Sequence, residues 1–265
     1  MRNIKLTISY DGSNYAGWQT QKSPKPRAPS FKFKTIQETV EAALQKLFRE
    51  QIHLTGSGRT DSGVHSIAQT ANFKTKSRLN VSKIRSALNG ILPRDIVVTK
   101  VREVNPDFHA QFSAKRKTYR YVIINTPGKL AFLVDYGLQI RSPLNIRLMR
   151  KESACLLGRH DFTSFQGSDK VRRQAVTTIY GITVKKRKGC DSFPFLKGLD
   201  LLTIDICAKG FLRGMVRNVA GTLIEIGRGR LREGELKKIL KKKDRRSAGP
   251  CAPAKGLYLL KVNYE

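Results

Sequence analysis

The pattern of apolar and polar residues predicts alternating strands and helices over the first hundred residues. Strict alternation with β-branched residues predicts strands, and apolar residues three to four apart predict helices. The first helix is the clearest, because Thr35 and Glu38 form a capping box ahead of a continuous apolar face. The predicted elements are a strand at Lys5–Tyr10, a helix at Thr35–Glu50, a strand at Ile67–Lys74, a helix at Val81–Leu88 ended by Asn89-Gly90, and a strand at Asp95–Val104.

The second half again mixes the two types of element. Gly158–Gln166 is predicted as a polar turn, and Gly189–Gly198 as a loop between two strands. The predicted elements are a strand in the later half of Phe112–Asn125, helices at Asn145–Leu157, Phe211–Gly227 and Gly234–Lys243, strands at Ala175–Lys188 and Leu199–Ala208, and a final strand in the tail.

One stretch between regular elements concentrates ionisable groups and glycines. Thr55–Ser66 has the sequence TGSGRTDSGVHS, with three glycines, an arginine, an aspartate and a histidine. Glycine lets another backbone or a ligand approach closely, and functional residues are often presented by loops on a rigid scaffold. Arg59, Thr60 and Asp61 are therefore candidates for presented groups, although a structural turn with an Arg–Asp pair has the same composition.

The charge of the chain indicates a polyanionic partner. The 265 residues include 51 Lys and Arg against 20 Asp and Glu, a net charge of +31. Such an excess repels itself in the folded state, and phosphates that neutralise it release condensed counterions. Nucleic acid is the leading interpretation, with an anionic membrane surface and a merely solvated basic surface as alternatives. Lys22–Lys34 is Pro-rich and basic, and is either a phosphate-contacting arm or a solvated insertion.

Other classes of function receive little support from the sequence. The four cysteines form no C-x-x-C pair and have no histidine at zinc spacing, so free thiols in a reducing cytoplasm are expected. We expect no metal site, because no Asp, Glu or His cluster accompanies Asp61 apart from His65. The N-terminus has no apolar signal-peptide core, and no apolar run reaches membrane-spanning length, so no membrane partner is expected.

Basic residues alternate with aromatic residues in FSAKRKTYRYVIIN, residues Phe112–Asn125. Cations contact phosphates and rings stack on bases, so the pattern is typical of nucleic-acid contacts. Period two places Lys117, Tyr119 and Tyr121 on one strand face. The alternative is a strand with its rings in the core. We interpret Tyr121, deeper in the apolar run, as core and Tyr119 as functional.

Asp61 is the best-placed candidate for chemistry. A carboxylate can serve as a nucleophile or a general base. Arg59 could pair with it and keep it ionised. His65 could act as a base, but a lone loop histidine is more often structural. The loop precedes a strand rather than a helix, so it is not a helix-terminal phosphate cradle.

The sequence GRTDSGVHS at Gly58–Ser66 resembles the central motif of the bacterial tRNA pseudouridine synthase A family. Further resemblance in chain order covers nearly the whole chain, and the main departure is the insertion at Lys22–Lys34. The other resembling stretches are Ser9–Gln19, Asn89–Ile96, Phe108–Tyr121, His160–Phe165, Phe211–Gly227 and Ala254–Tyr264.

The resemblance implies an α+β fold of two ferredoxin-like subdomains, residues 1–106 and 107–265, around a central antiparallel sheet with an active-site cleft between them. It implies a cytoplasmic homodimer that needs no cofactor and isomerises uridine to pseudouridine at positions 38, 39 and 40 of the tRNA anticodon arm. A non-catalytic RNA-binding protein and an enzyme that releases the base are the rival classes.

The resemblance also assigns roles to individual residues. Asp61 would be the catalytic aspartate, and Arg59 would help to flip the target nucleotide and fill its place. Tyr119 would stack on the target uracil. Arg217 would pair with the catalytic carboxylate, and Leu257 would form the apolar floor of the pocket.

Overall fold

The chain is a mixed α+β structure built on a mostly antiparallel sheet, as a computed structural model shows for residues 1–19, 34–167, 175–189 and 197–265. The predicted fold class is therefore confirmed. Contacts divide the chain into two compact units, Met1–Lys115 with Leu259–Glu265, and Arg116–Tyr258. The basic insertion at Lys22–Lys34, except Lys34, and most of the predicted loop at Gly189–Gly198 lie outside the described residues.

The first unit contains the strand and helix order predicted from the alternation, with one short additional strand. Its elements are β1 (Arg2–Tyr10), α1 (Ile36–Phe48), β2 (Thr55–Gly56), β3 (His65–Thr75), α2 (Val81–Ile91), β4 (Ile96–Val104) and most of β10 (Leu257–Asn263).

Strand β1 organises the sheet of the first unit, because it pairs antiparallel with both β3 and β4. Its alternate residues Ile4, Leu6 and Ile8 are fully buried in one hydrophobic cluster with the apolar faces of α1 and α2. Successive side chains of a strand point to opposite faces. Lys5 and Thr7 therefore lie on the face that these helices do not cover.

The ends of both helices in the first unit follow from local contacts. The predicted capping box is confirmed, since Thr35 accepts from the Glu38 N–H and Glu38 accepts from the Thr35 N–H. The predicted end of α2 at Leu88 is wrong, because the helix continues through Asn89 and Gly90 to Ile91. The Asn89 side chain bonds both the N–H and the carbonyl oxygen of Val98 in β4, which fastens this last turn to the sheet.

The second unit has an antiparallel sheet in the order β5-β9-β8-β7, with β6 added parallel to β5. Its helices α3, α4 and α5 confirm the three helices predicted for this half. Its elements are β5 (Arg116–Asn125), β6 (Leu138–Ile140), α3 (Ile146–Ser153), β7 (Gly158–Asp161), β8 (Val176–Lys188), β9 (Asp200–Ala208), α4 (Met215–Gly227) and α5 (Glu235–Lys242).

Two predictions for the second unit need correction. Gly158–Gln166 is not only a turn, because Gly158–Asp161 pairs with β8 before a short 3-10 turn follows. Helix α4 begins at Met215 and not at Phe211. Gly214, the residue before it, has φ +65, a left-handed conformation that cannot continue a right-handed helix.

Helix α4 is the most buried helix of the second unit. The residues that follow α5 pack directly against it. A Cβ on Gly221 would lie 1.8 Å from the Pro250 carbonyl oxygen, so the backbones meet where a side chain is absent. The Thr222 hydroxyl accepts from the Gly249 N–H at 3.0 Å. Arg245 donates to the Gly249 carbonyl oxygen at 2.9 Å, which holds the segment in place.

We predict opposite effects for alanine at two helical glycines. Gly221→Ala should destabilise the fold by about 2 kcal/mol or more, because the new methyl group overlaps the Pro250 carbonyl. Gly90→Ala is the matched control, since nothing lies within 4 Å of the added Cβ, and it should stabilise by roughly 0.5 kcal/mol. Urea unfolding of both variants measures the difference. Equal stabilities would contradict the close approach at Gly221.

Candidate active site

The loop that joins β2 to β3, Ser57–Val64, carries Arg59, Thr60 and Asp61, and we call it the RTD loop. Its first residues are fastened to β3 by three hydrogen bonds. The Ser57 N–H donates to the Thr70 carbonyl oxygen at 2.7 Å, and the Ser57 hydroxyl donates to Gln69 Oε1 at 2.6 Å. Gln69 Nε2 donates in turn to the Gly58 carbonyl oxygen at 2.9 Å. The loop therefore leaves the sheet in a fixed direction.

The middle of the RTD loop is held by the segment that follows β1. The Trp18 N–H donates to the Thr60 carbonyl oxygen at 3.1 Å, and the Thr60 hydroxyl lies 2.8 Å from the buried Tyr10 hydroxyl. The Ser62 hydroxyl donates to the Tyr15 carbonyl oxygen at 2.9 Å. These contacts bury Thr60, the residue between the two charged candidates.

Two glycines allow this segment to lie against the RTD loop. Gly17 has φ +90, and a Cβ there would lie 2.6 Å from the Thr60 carbonyl oxygen. A Cβ on Gly12 would lie 2.0 Å from the Val64 carbonyl oxygen. Real Cβ atoms do not approach backbone oxygens so closely, so a side chain at either position would displace the loop. The stretch Ser9–Gln19 thus shapes the loop through backbone contact.

The two charged candidates of the RTD loop differ in exposure. Arg59 is exposed, whereas Asp61 is half-buried. In the described part of the chain, Arg59 and Asp61 form no ion pair with each other, so the pairing considered from the sequence is wrong. Thr60 lies between them with its side chain buried. The loop therefore presents Arg59 to solvent and leaves Asp61 only partly exposed.

His65 lies at the start of β3 and is almost fully buried, with 2% of its surface exposed. Its Nδ1 accepts from the Gly12 N–H at 3.2 Å and lies 3.1 Å from Asp11 Oδ1. The imidazole thus ties β3 to the Asp11-Gly12 turn. This arrangement supports a structural role for His65 and not a role as a base.

The two tyrosines of β5 are both buried in the second unit. Tyr119 is 7% exposed and meets Phe211 edge to face, with ring centroids 5.0 Å apart. Tyr121 is fully buried, its hydroxyl donates to the Pro253 carbonyl oxygen at 2.9 Å, and burial raises its pKa above the ordinary tyrosine value. Tyr121 is therefore a core residue, as the sequence indicated.

Lys117 shares its strand face with the two tyrosines and is half-buried. Burial lowers the pKa of its ammonium group below the ordinary lysine value. The sequence pattern of this strand indicated exposed cations beside aromatic rings. Lys117 differs from that pattern, because its ammonium group is largely removed from water. This lysine is a functional candidate that the sequence pattern did not separate from its basic neighbours.

Arg217 and Leu257 also lie in the second unit. The Arg217 side chain donates through Nε to the Ala252 carbonyl oxygen at 2.7 Å, and the Ala252 N–H donates to the Arg217 carbonyl oxygen at 3.2 Å. Its positive charge opposes the rise in the pKa of Tyr121. Leu257 is 6% exposed at the first position of β10. The proposed site residues thus fall into two groups, Arg59 with Asp61 on one loop, and Tyr119, Arg217 and Leu257 in the second unit.

The residues that hold the RTD loop were not identified from the sequence as a supporting set. Tyr10, Trp18 and Gln69 provide the contacts, and each is nearly or completely buried. Trp18 packs against Tyr10 with ring centroids 6.1 Å apart. The sequence did contain a signal for this supporting set, because the single tryptophan of the chain, Trp18, directly follows Gly17.

The described ranges contain neither a metal-binding cluster nor a membrane-spanning helix. No group of three or more His, Cys, Asp or Glu side chains in these ranges is arranged to hold a metal ion. No helix within the same ranges is long and apolar enough to cross a membrane. Cys155, Cys207 and Cys251 are free thiols.

We predict that Gly17→Ala destabilises the first unit by about 2 kcal/mol, because it combines an unfavourable positive φ with overlap on the Thr60 carbonyl. Urea unfolding measures the loss. Gly128→Ala is the control, since nothing lies within 4 Å of its added Cβ. Unchanged stability of Gly17→Ala would show that the loop does not depend on this approach.

Comparison with known proteins gives a consistent result along the chain. A family model described as tRNA pseudouridine synthase matches residues 6–113 and 153–265. A protein of Thermoanaerobacter sp. (strain X514) named tRNA pseudouridine synthase A is 41% identical over 264 residues, covering 100% of both chains. A protein of Ruminiclostridium cellulolyticum with the same name is 42% identical over 264 residues, again covering 100% of both. With a family model that spans most of its length and relatives that match it from end to end, this chain belongs to the tRNA pseudouridine synthase family.

Proposed function

We propose that this protein isomerises uridine to pseudouridine at positions 38, 39 and 40 in the anticodon arm of tRNA, with Asp61 as the catalytic carboxylate. The observation that carries the proposal is the RTD loop of a family member, which holds a half-buried aspartate on a backbone fixed at its first residues and at its centre. A positioned carboxylate is worth most where its geometry is set before the substrate arrives.

The reaction requires only rearrangement within one nucleotide. The bond between N1 of uracil and C1′ of ribose breaks, the base rotates, and a bond forms between C5 and C1′. The proton of C5 is lost and N1 gains a proton, so atoms and charge balance without an oxidant or an added group. Asp61 can either attack C1′ or assist removal of a sugar proton, and both paths need a carboxylate beside the ribose.

The target base must leave its stack before the reaction, which costs a few kcal/mol. Arg59 is the group proposed to offset this cost. It is exposed on the RTD loop two positions before Asp61, so a nucleotide that brings its ribose to Asp61 passes this cation. Its planar guanidinium can occupy the vacated place and contact bases and phosphates.

Three residues of the second unit complete the proposed site. Tyr119 would stack on the target uracil, and its edge-to-face contact with Phe211 supports a fixed ring orientation. Arg217 would neutralise the catalytic carboxylate, and its bond to the Ala252 carbonyl restricts its position. Leu257 would supply the apolar floor.

The net charge of +31 suits a substrate held mainly through its phosphates. Recognition of this kind depends on shape, which fits action on several neighbouring uridines. We further propose that the protein works in the cytoplasm as a homodimer. Sedimentation at low concentration tests the dimer, and a monomer with full activity would contradict it.

We predict that Asp61→Asn reduces pseudouridine formation by roughly a thousandfold or more, because the amide cannot provide the nucleophile or base. Binding of tRNA should remain within about threefold of the native value, since one neutralised carboxylate does not weaken phosphate contacts. Release of tritium from uridine C5 measures the reaction, and filter binding measures affinity.

Asp107→Asn is the control for Asp61→Asn, because Asp107 is an exposed carboxylate of the same unit outside the RTD loop. It should retain native activity. Undiminished tritium release by Asp61→Asn would refute the assignment of Asp61. Release of free uracil by the native protein would instead indicate a base-releasing enzyme, and nucleotide-resolution mapping would show which uridines are modified.

We predict that Tyr119→Phe retains more activity than Tyr119→Leu, because stacking on uracil needs the ring and not the hydroxyl. The contact with Phe211 should also persist in the Phe variant. Single-turnover rates at saturating tRNA measure the effect. A Phe variant as inactive as the Leu variant would assign the role to the hydroxyl, and native rates in both would make Tyr119 structural.

A further inference from the structure

Three cations share a depression on the face of the first unit's sheet that α1 and α2 do not cover. The depression has a volume of about 130 Å³ and is lined by Lys5, Thr7, Lys100 and Arg102. Lys5 of β1 stands directly opposite Arg102 of β4, and Thr7 stands opposite Lys100. Directly opposed side chains of paired strands lie on the same face, so the sheet register itself gathers the charges.

Among the described residues, these charges have no direct carboxylate partner. Across the described part of the chain, none of the three cations forms an ion pair. Like charges directly opposite one another are destabilising, yet Lys5 and Arg102 occupy such a pair of positions. Partial burial and the charge of Arg102 lower the pKa of Lys5, and the charge of Glu265 only partly opposes this lowering.

The Lys5 side chain is also held in position. Its ammonium group lies 5.2 Å from the centroid of the Phe108 ring and 5.3 Å from that of Tyr264. Contacts between a cation and aromatic faces are favourable and restrict the side chain. Lys5 is half-buried, whereas Lys100 and Arg102 are exposed. The depression is thus lined by one half-buried cation that is held in position and by two exposed cations.

We propose that this depression, formed by Lys5, Thr7, Lys100 and Arg102, binds a backbone phosphate of the tRNA substrate. The inference rests on the proposed function for the identity of the polyanion. A phosphodiester would place one negative charge among three positive ones and relieve their repulsion. The guanidinium of Arg102 and the hydroxyl of Thr7 supply hydrogen-bond donors with the directionality that phosphate oxygens require.

Two features of the depression favour a phosphate over a base as its occupant. They are its positive charge and its lack of side chains that could recognise a base. The lining consists of three cations and one hydroxyl, with no exposed ring or amide in the depression. Phosphate contacts position a nucleic acid without reading its sequence. The site is therefore expected to hold tRNA in register and to contribute affinity, while the RTD loop provides the chemistry.

The test compares two triple variants that lose the same charge from opposite faces of the first unit. One is Lys5→Gln, Lys100→Gln and Arg102→Gln. The control is Lys46→Gln, Lys83→Gln and Arg85→Gln, which removes three exposed cations from α1 and α2. The dissociation constant of unmodified tRNA is measured from 50 to 200 mM KCl for each protein, and thermal unfolding verifies that both variants fold.

The sheet-face variant should bind tRNA about tenfold more weakly at the low-salt end, and its plot of log affinity against log salt should be shallower by about one unit. The helix-face control should keep the native slope. Equal changes in the two variants would overturn the proposal, because the effect would then reflect total charge. An unchanged slope in the sheet-face variant would overturn it directly.

Two further readouts exclude other occupants. A sheet-face variant with an altered sedimentation coefficient would show a contact between copies of the chain and refute the phosphate site. Inorganic phosphate is the small-anion probe: if it protects only the native protein against thermal unfolding while the tRNA salt slopes are equal, the site takes a free anion and not RNA. Absence of pseudouridine from native reactions would refute the proposed function separately, because the binding measurements need no product.

Discussion

The backbone contact between the segment after β1 and the RTD loop is the constraint on which the candidate site depends. Gly17 meets the Thr60 carbonyl and Gly12 meets the Val64 carbonyl, at distances that no other residue type permits. Once the two backbones touch, the hydrogen bonds of Thr60 to Trp18 and Tyr10 become possible. The loop is thereby fixed by its centre and not only by its ends, so the residues on either side of Thr60 have set positions.

The two faces of β1 have different roles in the first unit, since one packs in the hydrophobic core and the other lines the cationic depression. Ile4, Leu6 and Ile8 are buried against the helices and supply the hydrophobic stabilisation, because burial of such side chains is worth roughly 1.5–3 kcal/mol each. Lys5 and Thr7 face the other way and meet the cations of β4. A one-residue slip of the strand would exchange these faces and place lysine in the core. Core packing therefore fixes the register that also assembles the cationic depression.

Local patterns predicted most of the elements, because periodicity and caps act over a few residues. The Thr35 capping box and the alternation of β1 are examples. The errors have non-local causes. Gly158–Asp161 is polar and short, and it becomes a strand only through pairing with β8. In the RTD loop, composition singled out Arg59 and Asp61, but it suggested an ion pair that the described structure does not contain. The buried residues that hold the loop are distant in sequence, so no local pattern connects them.

The different exposures of Arg59 and Asp61 favour separate roles over a paired one. A carboxylate bound to its neighbouring guanidinium would have to break that bond before reaching a substrate, and the arginine would be unavailable to the displaced nucleotide. Thr60, which Trp18 and Tyr10 hold in place, lies between the two side chains. In the proposed function, the exposed Arg59 would meet the RNA first, and the half-buried Asp61 would meet only a nucleotide that has left the stack. Such an order would restrict the chemistry to extruded nucleotides through the conformation of three consecutive residues.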